Sequence, residues 1–378
     1  MIEWVTSGFH YVWSFVVILS VIVFVHEFGH YIVARWCGVK VDVFSIGFGR
    51  EIWGYTAKKS GTRWKLSLLP FGGYVKMFGD ASAASTPDIN AFDQMSEQEK
   101  TLSFHHKPLW AKSLVVAAGP LANFILAITI FTYFIFTSGI SSTEPKVGEL
   151  IKGLPAAIAG LKVGDEITQV NGKKVKVFND IPAIVTLNVG EPIIINFIRE
   201  GKPLQLSMIP KFIEDKDALG NVVKRPVIGF KSPTITFKKV GLPRALKEAV
   251  LSTYNLCASS MQVLGQMLSG KRSAEELKGP VGIAKLSGQV TQSGDTLSQT
   301  LHTILWFIAL LSVNLGMVNL FPIPMLDGGH LVYYAIEALR GKPMAERYMN
   351  WGYKFGFILL ASLMAFTLFN DLRQMLGL

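Results

Sequence analysis

Four stretches of the chain are apolar enough to cross a bilayer, roughly 11–36, 114–137, 301–321 and 355–369. A spanning helix needs about 20 such residues, so the last run is short, and 351–372 gives it a fuller window. Trp4, Trp13, Trp36, Trp110, Trp306 and Trp351 stand near the ends of these runs, where interfacial aromatics gather. Between the second and third runs the pattern changes. From Lys146 onward, short β-rich segments alternate with Gly, Pro and Asn-Gly punctuation. This predicts strands near Val175–Val177, Ile193–Ile198 and Leu204–Met208, with one short helix at Ala156–Leu161. Residues 213–240 read as a hairpin and tether. Ala245–Leu268 carries Lys247, Glu248, Asn255, Gln262 and Gln266 among its apolar positions. It reads as an amphipathic helix lying in the interface and not as a fifth span. Ala81–Leu102 is polar, rich in Ser and Ala and without periodicity, which predicts a mobile loop.

Composition agrees. Of 378 residues, 50% are hydrophobic and only 17% charged, short of the roughly 25% charge of a soluble domain. The net charge of +10 might suggest nucleic acid, but it accompanies long apolar runs, and membrane topology explains it without a nucleic-acid partner. Residues 1–12 hold no Lys or Arg, whereas Arg35 to Lys112 holds eleven. The positive-inside bias therefore places the N-terminus outside and this segment in the cytoplasm. Arg340, Lys342, Arg347 and Lys354 repeat the bias at the loop around Gly341. The first apolar run lacks a basic n-region and a small-residue cleavage site, so it is expected to stay as a span. Cys37 and Cys257 fall on opposite sides of the membrane and are expected to be structural.

The chemistry begins in the first span, at His26-Glu27-Phe28-Gly29-His30. On a helix, positions i and i+4 share one face, so His26 and His30 can grip one zinc ion. Glu27, the next residue round, can serve as general base toward the attacking water. Three ionisable residues at membrane depth cost several kcal/mol by insertion scales, which argues for function over a buried polar cluster or an ion-path carboxylate. A catalytic zinc needs a third protein ligand. The third span ends in Asn319-Leu-Phe-Pro322-Ile-Pro324-Met-Leu-Asp327-Gly328-Gly329-His330. Pro322 and Pro324 break the helix, and backbone freed at that depth must be buried or line a wet cavity. Asp327 is the first carboxylate after the break. As a ligand it competes with an equally good reading as N-cap of a helix over Leu331–Leu339. His330 is a second possible ligand. With four spans, the first and third both run inward, and the two half-sites meet at the same depth.

HEFGH in the first span and NxxPxPxxDGG in the third resemble the site-2 protease family of intramembrane zinc metalloproteases, with the RseP-type bacterial members nearest in pattern. Pro155-Ala-Ala-Ile-Ala-Gly-Leu-Lys-Val-Gly164-Asp165-Glu-Ile-Thr-Gln-Val-Asn-Gly172 resembles a bacterial PDZ domain, in a single copy where RseP has two. The resemblance implies a polytopic α-helical membrane protein of four transmembrane helices with a membrane-dipping β-hairpin, plus an extracytoplasmic PDZ-like α+β domain. It implies that His26, His30 and Asp327 hold Zn2+, that Glu27 is the catalytic base and that Asn319 helps hold the unwound substrate. Gly72, Gly73 and Tyr74 would belong to the hairpin that receives the substrate as an added strand.

The expected layout is a first transmembrane helix with HExxH over 1–37 and a cytoplasmic segment with the hairpin over 38–110. A second transmembrane helix follows over 111–138, the PDZ domain over 144–212, and a tether with the interfacial helix over 213–300. The third span covers 301–330, a cytoplasmic loop 331–350 and the fourth span 351–373. The implied partners are the lipid bilayer, single-span membrane substrates such as an anti-sigma factor or remnant signal peptides, and a peptide or protein ligand of the PDZ domain. The implied location is a bacterial inner membrane, with envelope-stress signalling as the setting, the PDZ domain in the periplasm and the active site toward the cytoplasm. Against this stand two other classes: a non-catalytic PDZ adaptor with a structural metal, and a metal or proton transporter. An intact Glu27 argues against the first, and four spans without an inverted repeat against the second.

Overall fold

The computed structural model describes residues 2–80, 95–141, 143–188, 190–216, 222–232 and 236–376. The loop expected over Ala81–Leu102 lies largely outside them, although its end forms a helix, Glu97–Leu102, with a Ser96/Glu99 capping box. In chain order the helices are α1 Ile2–Trp36, α2 Glu97–Leu102, α3 Leu109–Ser138, α4 Pro155–Ile158, α5 Asp180–Thr186, α6 Leu242–Leu268, α7 Pro280–Gln292, α8 Leu297–Asn319, α9 Asp327–Arg340 and α10 Glu346–Leu376. The strands are β1 Val41–Thr56, β2 Arg63–Met77, β3 Ile140–Ser141, β4 Glu149–Leu150, β5 Glu166–Val170, β6 Lys173–Lys174, β7 Ile193–Arg199, β8 Lys202–Met208, β9 Lys211–Lys216, β10 Val222–Val227, β11 Phe230–Lys231 and β12 Phe237–Lys238. Among the described residues, four helices are long and apolar enough to cross a membrane: α1 from Gly8, α3, α8 and α10 from Arg347. The protein is a multi-pass membrane protein, mostly helical, with added β-sheets.

The chain divides into two compact units, Met1–Ile130 with Glu275–Leu378, and Phe131–Ala274. In the first, α1 ends where Gly38 takes a left-handed φ of 71° and the Val39 N–H reaches back to Ala34, a stop that glycine favours. The chain then enters β1 and β2. Val43–Ile46 of β1 pairs with Gly73–Lys76 on one side and with Arg63–Leu66 on the other, while Trp53–Thr56 flanks Arg63–Leu66 beyond. The last part of β2 is therefore an outer strand of this small sheet. Val41, Phe44, Val75 and Met77 bury one face against Ala34, Phe104 and Val115. Farther along the two strands Ile52, Trp53, Leu68 and Leu69 are exposed, apolar groups of the kind that face lipid or a partner.

Two close helix approaches hold the unit together. A Cβ at Gly29 would lie 2.4 Å from the Ala118 carbonyl oxygen of α3, and one at Gly288 of α7 would strike the ring of Tyr11 of α1. The second is reinforced where His10 and Ser14 meet Thr291 at 2.8 and 3.0 Å. Small residues are how helices pack closely in lipid. The start of α7 is capped from α10: Asp371, 3% exposed, accepts the N–H groups of Gly279 and Gly282 at 3.1 and 2.8 Å.

The second unit is built on a sheet of order β6-β5-β7-β8. Ile167, Val170, Ile193, Ile195 and Phe197 of that sheet are buried with Ala156 and Ile181. Asn171 and Gly172, with φ of 48° and 74°, make the tight β5–β6 turn that Asn-Gly favours. Val175–Val177, expected as a strand, is irregular, and the short helix is Pro155–Ile158. The Asp165 carboxylate, 1% exposed, takes two bonds from Arg199 at 2.7 Å and one from the Lys162 N–H at 2.8 Å. Burial pushes this carboxyl up, but the Arg199 bonds, the Lys162 N–H and the guanidinium charge outweigh it and hold it below the usual range. The Gly160-Leu-Lys-Val-Gly164-Asp165 turn is thereby locked to β7. Ile228 and Phe230, within the segment read as a tether, belong to the hydrophobic core of this unit. A cavity of about 290 Å³ lies between α5 and residues 226–231, lined by Ile181, Val185, Ile228 and Phe230.

Candidate metal centre

The apolar run of α1 carries His26 and His30 one turn apart, both nearly buried at 8% and 9% exposure. Their Nε2 atoms converge to 3.3 Å. Asp327 comes from the other end of the chain. α8 stops at Asn319, the Pro322-Ile-Pro324 segment turns, and α9 starts with Asp327 as its first residue. Leu326 is the N-cap of α9 and no side chain caps the helix, so the N-cap reading of Asp327 does not hold. Its carboxylate is aimed at the histidines instead, with Oδ2 at 3.2 Å from His26 Nε2 and 3.5 Å from His30 Nε2.

The turn that delivers Asp327 is tight and strained. A Cβ at Gly328 or Gly329 would lie 2.3 Å from the carbonyl oxygens of Leu320, Phe321 or Ile323, so only glycine lets the turn close. Met325 holds a left-handed φ of 87°, a state that costs a non-glycine residue roughly 1–3 kcal/mol and collects at functional sites.

The three donor atoms form a triangle with edges of 3.2, 3.3 and 3.5 Å. A tetrahedral zinc with bonds of about 2.0–2.2 Å spaces its ligand atoms roughly 3.3–3.6 Å apart, so the triangle fits the ion. The donor set of two imidazoles and one carboxylate suits it equally. Asp327 Oδ2 is moreover buried without a hydrogen-bond partner, as an oxygen reserved for a cation would be. Among the described residues, these three are the group placed to hold a metal. His330, the other candidate, has its ring beside Tyr333, Tyr334 and Tyr353 at 5.9–6.5 Å.

Glu27, the residue after His26 on α1, interacts electrostatically with His26, His30 and Asp327. The outer strand of the β1–β2 sheet lies directly against it: a Cβ at Gly73 would be 3.0 Å from Glu27 Cγ and 2.9 Å from Val23. Gly72 takes a φ of 126° against the Phe48 ring, and Tyr74 stacks on that ring at 5.9 Å. Asn319, half-buried, is the last residue of α8, at the lip of the proline turn. Of the expected hairpin residues, Gly73 therefore meets Glu27 directly while Gly72 and Tyr74 flank the Phe48 ring, and Asn319 stands eight residues before Asp327.

A third helix also takes part, which the sequence reading passed over. From α3, the Val115 carbonyl accepts from His30 Nδ1 at 2.9 Å, and the Asn123 amide lies 3.2 Å from His26 Nδ1. Gly119 between them leaves room for the His30 ring, since a Cβ there would be 2.2 Å from Nε2. The only available signal was Gly119-Pro120-Leu-Ala-Asn123, a glycine and an amide placed in an apolar span.

Residues 14–363 match the profile of Peptidase family M50. A protein of Agrobacterium fabrum named as a zinc metalloprotease is 39% identical over 371 residues, covering 97% of both chains. Metalloprotease MmpA of Caulobacter vibrioides is 36% identical over 378 residues, covering 96% of this chain and 95% of that one. Among solved structures, the PDZ domain of an SdrC-like protein from Listeria monocytogenes is 26% identical and covers 23% of this chain and 84% of its own, with a TM-score of 0.19. With the family profile spanning nearly its whole length, the chain belongs to Peptidase family M50, the site-2 proteases, and is an intramembrane zinc metalloprotease.

Proposed function

We propose that His26, His30 and Asp327 hold the zinc, that Glu27 is the general base, and that the substrate is a transmembrane segment received as a strand along the outer edge of β2. The observation that carries this reading is the fit of the Nε2, Nε2 and Oδ2 triangle to one ion, with Glu27 beside it.

A membrane helix hides its peptide bonds inside its own hydrogen-bond ladder, so it must unwind before it is cut. The freed groups then need partners. Gly73–Lys76 is paired on one side by β1, and among the described residues no strand pairs with its other side. A peptide added there would run beside Glu27, and Gly72 and Gly73 keep the approach clear of side chains. Asn319 supplies an amide at the lip to hold a freed backbone group. Zinc supplies a Lewis acid for the scissile carbonyl. Glu27 takes the proton of the attacking water and returns it to the leaving amine.

The charge bias of Arg35–Lys112 favours an inner-membrane orientation with the β1–β2 sheet on the cytoplasmic side and the second unit outside. The second unit acts as a PDZ-like module, and its apolar cavity between α5 and residues 226–231 is sized for one hydrophobic side chain and the backbone that bears it. An anti-sigma factor or a remnant signal peptide meets the substrate requirement of a single weakly helical span.

The test is cleavage of a reporter transmembrane helix by purified protein in detergent, with bound zinc measured in parallel. Glu27→Gln is expected to keep zinc and lose cutting, and a chelator to remove both. Full cutting by Glu27→Gln would end the assignment of the base. Zinc retained after His26 and His30 are both replaced would end the assignment of the ligands.

A further inference from the structure

The two histidines of the metal triangle use Nε2 toward Asp327 and toward each other. Their Nδ1 atoms face α3. An imidazole that gives Nε2 to a metal carries its remaining hydrogen on Nδ1, and that N–H needs an acceptor if it is to stay buried. His30 has one in the Val115 carbonyl at 2.9 Å. Among the described residues, His26 has the side-chain amide of Asn123, at 3.2 Å.

The Asn123 amide places Nδ2 toward His26 Nδ1 and leaves Oδ1 buried without a partner among the described residues. That arrangement suits a histidine whose hydrogen is on Nε2, which cannot bind metal there. Turned by 180°, the same amide puts its oxygen on His26 Nδ1, where it meets the hydrogen that an imidazole bound through Nε2 carries; O and N of an amide are told apart only by such partners. We infer that Asn123 is a positioning residue for the metal centre: its side-chain oxygen accepts the Nδ1–H of His26 and holds that ring in the tautomer and orientation that present Nε2 to zinc. This rests on the assignment of His26, His30 and Asp327 as ligands.

Helix geometry explains why one helix can serve both rings. His26 and His30 are four residues apart, roughly 6 Å along α1, whereas Val115 and Asn123 are eight apart, roughly 12 Å along α3. Backbone carbonyls point toward a helix's C-terminus and side chains lean toward its N-terminus. The Val115 oxygen and the Asn123 amide therefore reach toward each other, and the eight-residue step shrinks toward the four-residue one. The helices run in opposite directions, so the earlier acceptor serves the later histidine. Asn123 is itself anchored: it is fully buried, its carbonyl accepts from Ser312 of α8 at 3.0 Å, and Gly316 of α8 lies close to its Cβ.

The experiment compares wild type, Asn123→Leu and Asn123→Asp as full chains in detergent, titrating zinc against a chelator of known affinity. Leu keeps the volume and removes the acceptor; Asp keeps an acceptor at the same reach. Asn123→Leu is expected to weaken zinc binding by about 10–100-fold, the usual effect of losing such a partner. Asn123→Asp is expected to bind zinc at least as well as wild type, and its cobalt-substituted absorption spectrum to match wild type. The comparison uses the fraction of each variant that elutes and melts, metal-free, as wild type does. Wild-type affinity in Asn123→Leu, or an equal loss in both variants, would overturn the role given to Asn123. A wild-type chain that takes up no zinc, or keeps it without His26 and His30, would overturn the ligand assignment beneath it.

Discussion

Replacing Gly119 by alanine tests the packing of the metal centre without touching a ligand. The new Cβ would lie 2.2 Å from His30 Nε2, 2.5 Å from Cε1 and 2.8 Å from Cδ2, where ordinary contact begins at 3.4 Å. Something must therefore move by about 1.2 Å, the difference between 3.4 and 2.2 Å, whereas a zinc–ligand distance tolerates about 0.2 Å. The His30 ring is tied at Nδ1 to Val115, one turn before Gly119 on the same helix. Withdrawal of α3 as a body would relieve the clash only by opening the close Ala118–Gly29 packing and stretching the Val115–His30 hydrogen bond. The strain falls on Nε2. Zinc affinity is expected to drop by more than about 100-fold, beyond the effect of losing one supporting hydrogen bond. The helix itself gains about 1 kcal/mol of intrinsic propensity from the exchange, so the metal-free chain should still insert and fold. Gly265→Ala is the control: its Cβ meets open space in α6, and it should leave zinc binding alone. The assay is chelator competition with melting of the metal-free protein alongside. Zinc binding by Gly119→Ala equal to wild type would show that the α1–α3 contact is softer than argued.

Two further outcomes follow from buried carboxylates. Asp371→Ala removes the acceptor for the N–H groups of Gly279 and Gly282 and leaves both at a buried helix start. The loss should be roughly 1–3 kcal/mol, read as earlier melting in detergent, and an unshifted melting curve would refute the capping role. For Asp165 the folded pKa lies below its ordinary 3.8, so its contribution is present above the unfolded value and is lost as pH falls through the folded one. Protease resistance of the second unit should therefore decline below pH 3.8, and Arg199→Met should remove most of that dependence. If Asp165→Asn matches wild type at neutral pH, the Arg199 lock is not a source of stability.

The spans and the two ligand motifs were legible because each is written locally. Apolar runs of spanning length need no knowledge of neighbours, and HExxH places two imidazoles on one helix face by period alone. Asp327 was half legible. Sequence marked it as the first carboxylate after a proline break, but spacing could not separate a ligand from an N-cap. The structure removes the N-cap reading, since Leu326 takes the cap, and Oδ2 stands 3.2 Å from His26 Nε2, as the proposed ligand role requires. Extents shifted where helices outrun their apolar cores, as α1, α3 and α10 do, since polar ends can stay helical in the headgroup region. Residues 226–231 read as a tether because six residues with Pro and Gly carry no strand period. Their burial comes from β4 and α5, nearly 80 and about 45 residues upstream.

The contribution of α3 was the least legible, for a reason that extends to other buried metal sites. Ligands are chosen by element type, and His, Glu and Asp in a span announce themselves through their cost. The groups that orient ligands have no such restriction. One of them here is a backbone carbonyl, which any residue supplies, and another is the absence of a side chain at Gly119. Only Asn123 has a distinctive side chain, and an amide in a span reads first as helix–helix packing. What singles it out is its place in a register set by α1: His26 and His30 fix where acceptors must stand, and α3 meets both. A site of this kind is specified as a pair of helix faces, and a one-dimensional motif records only the face that carries the ligands.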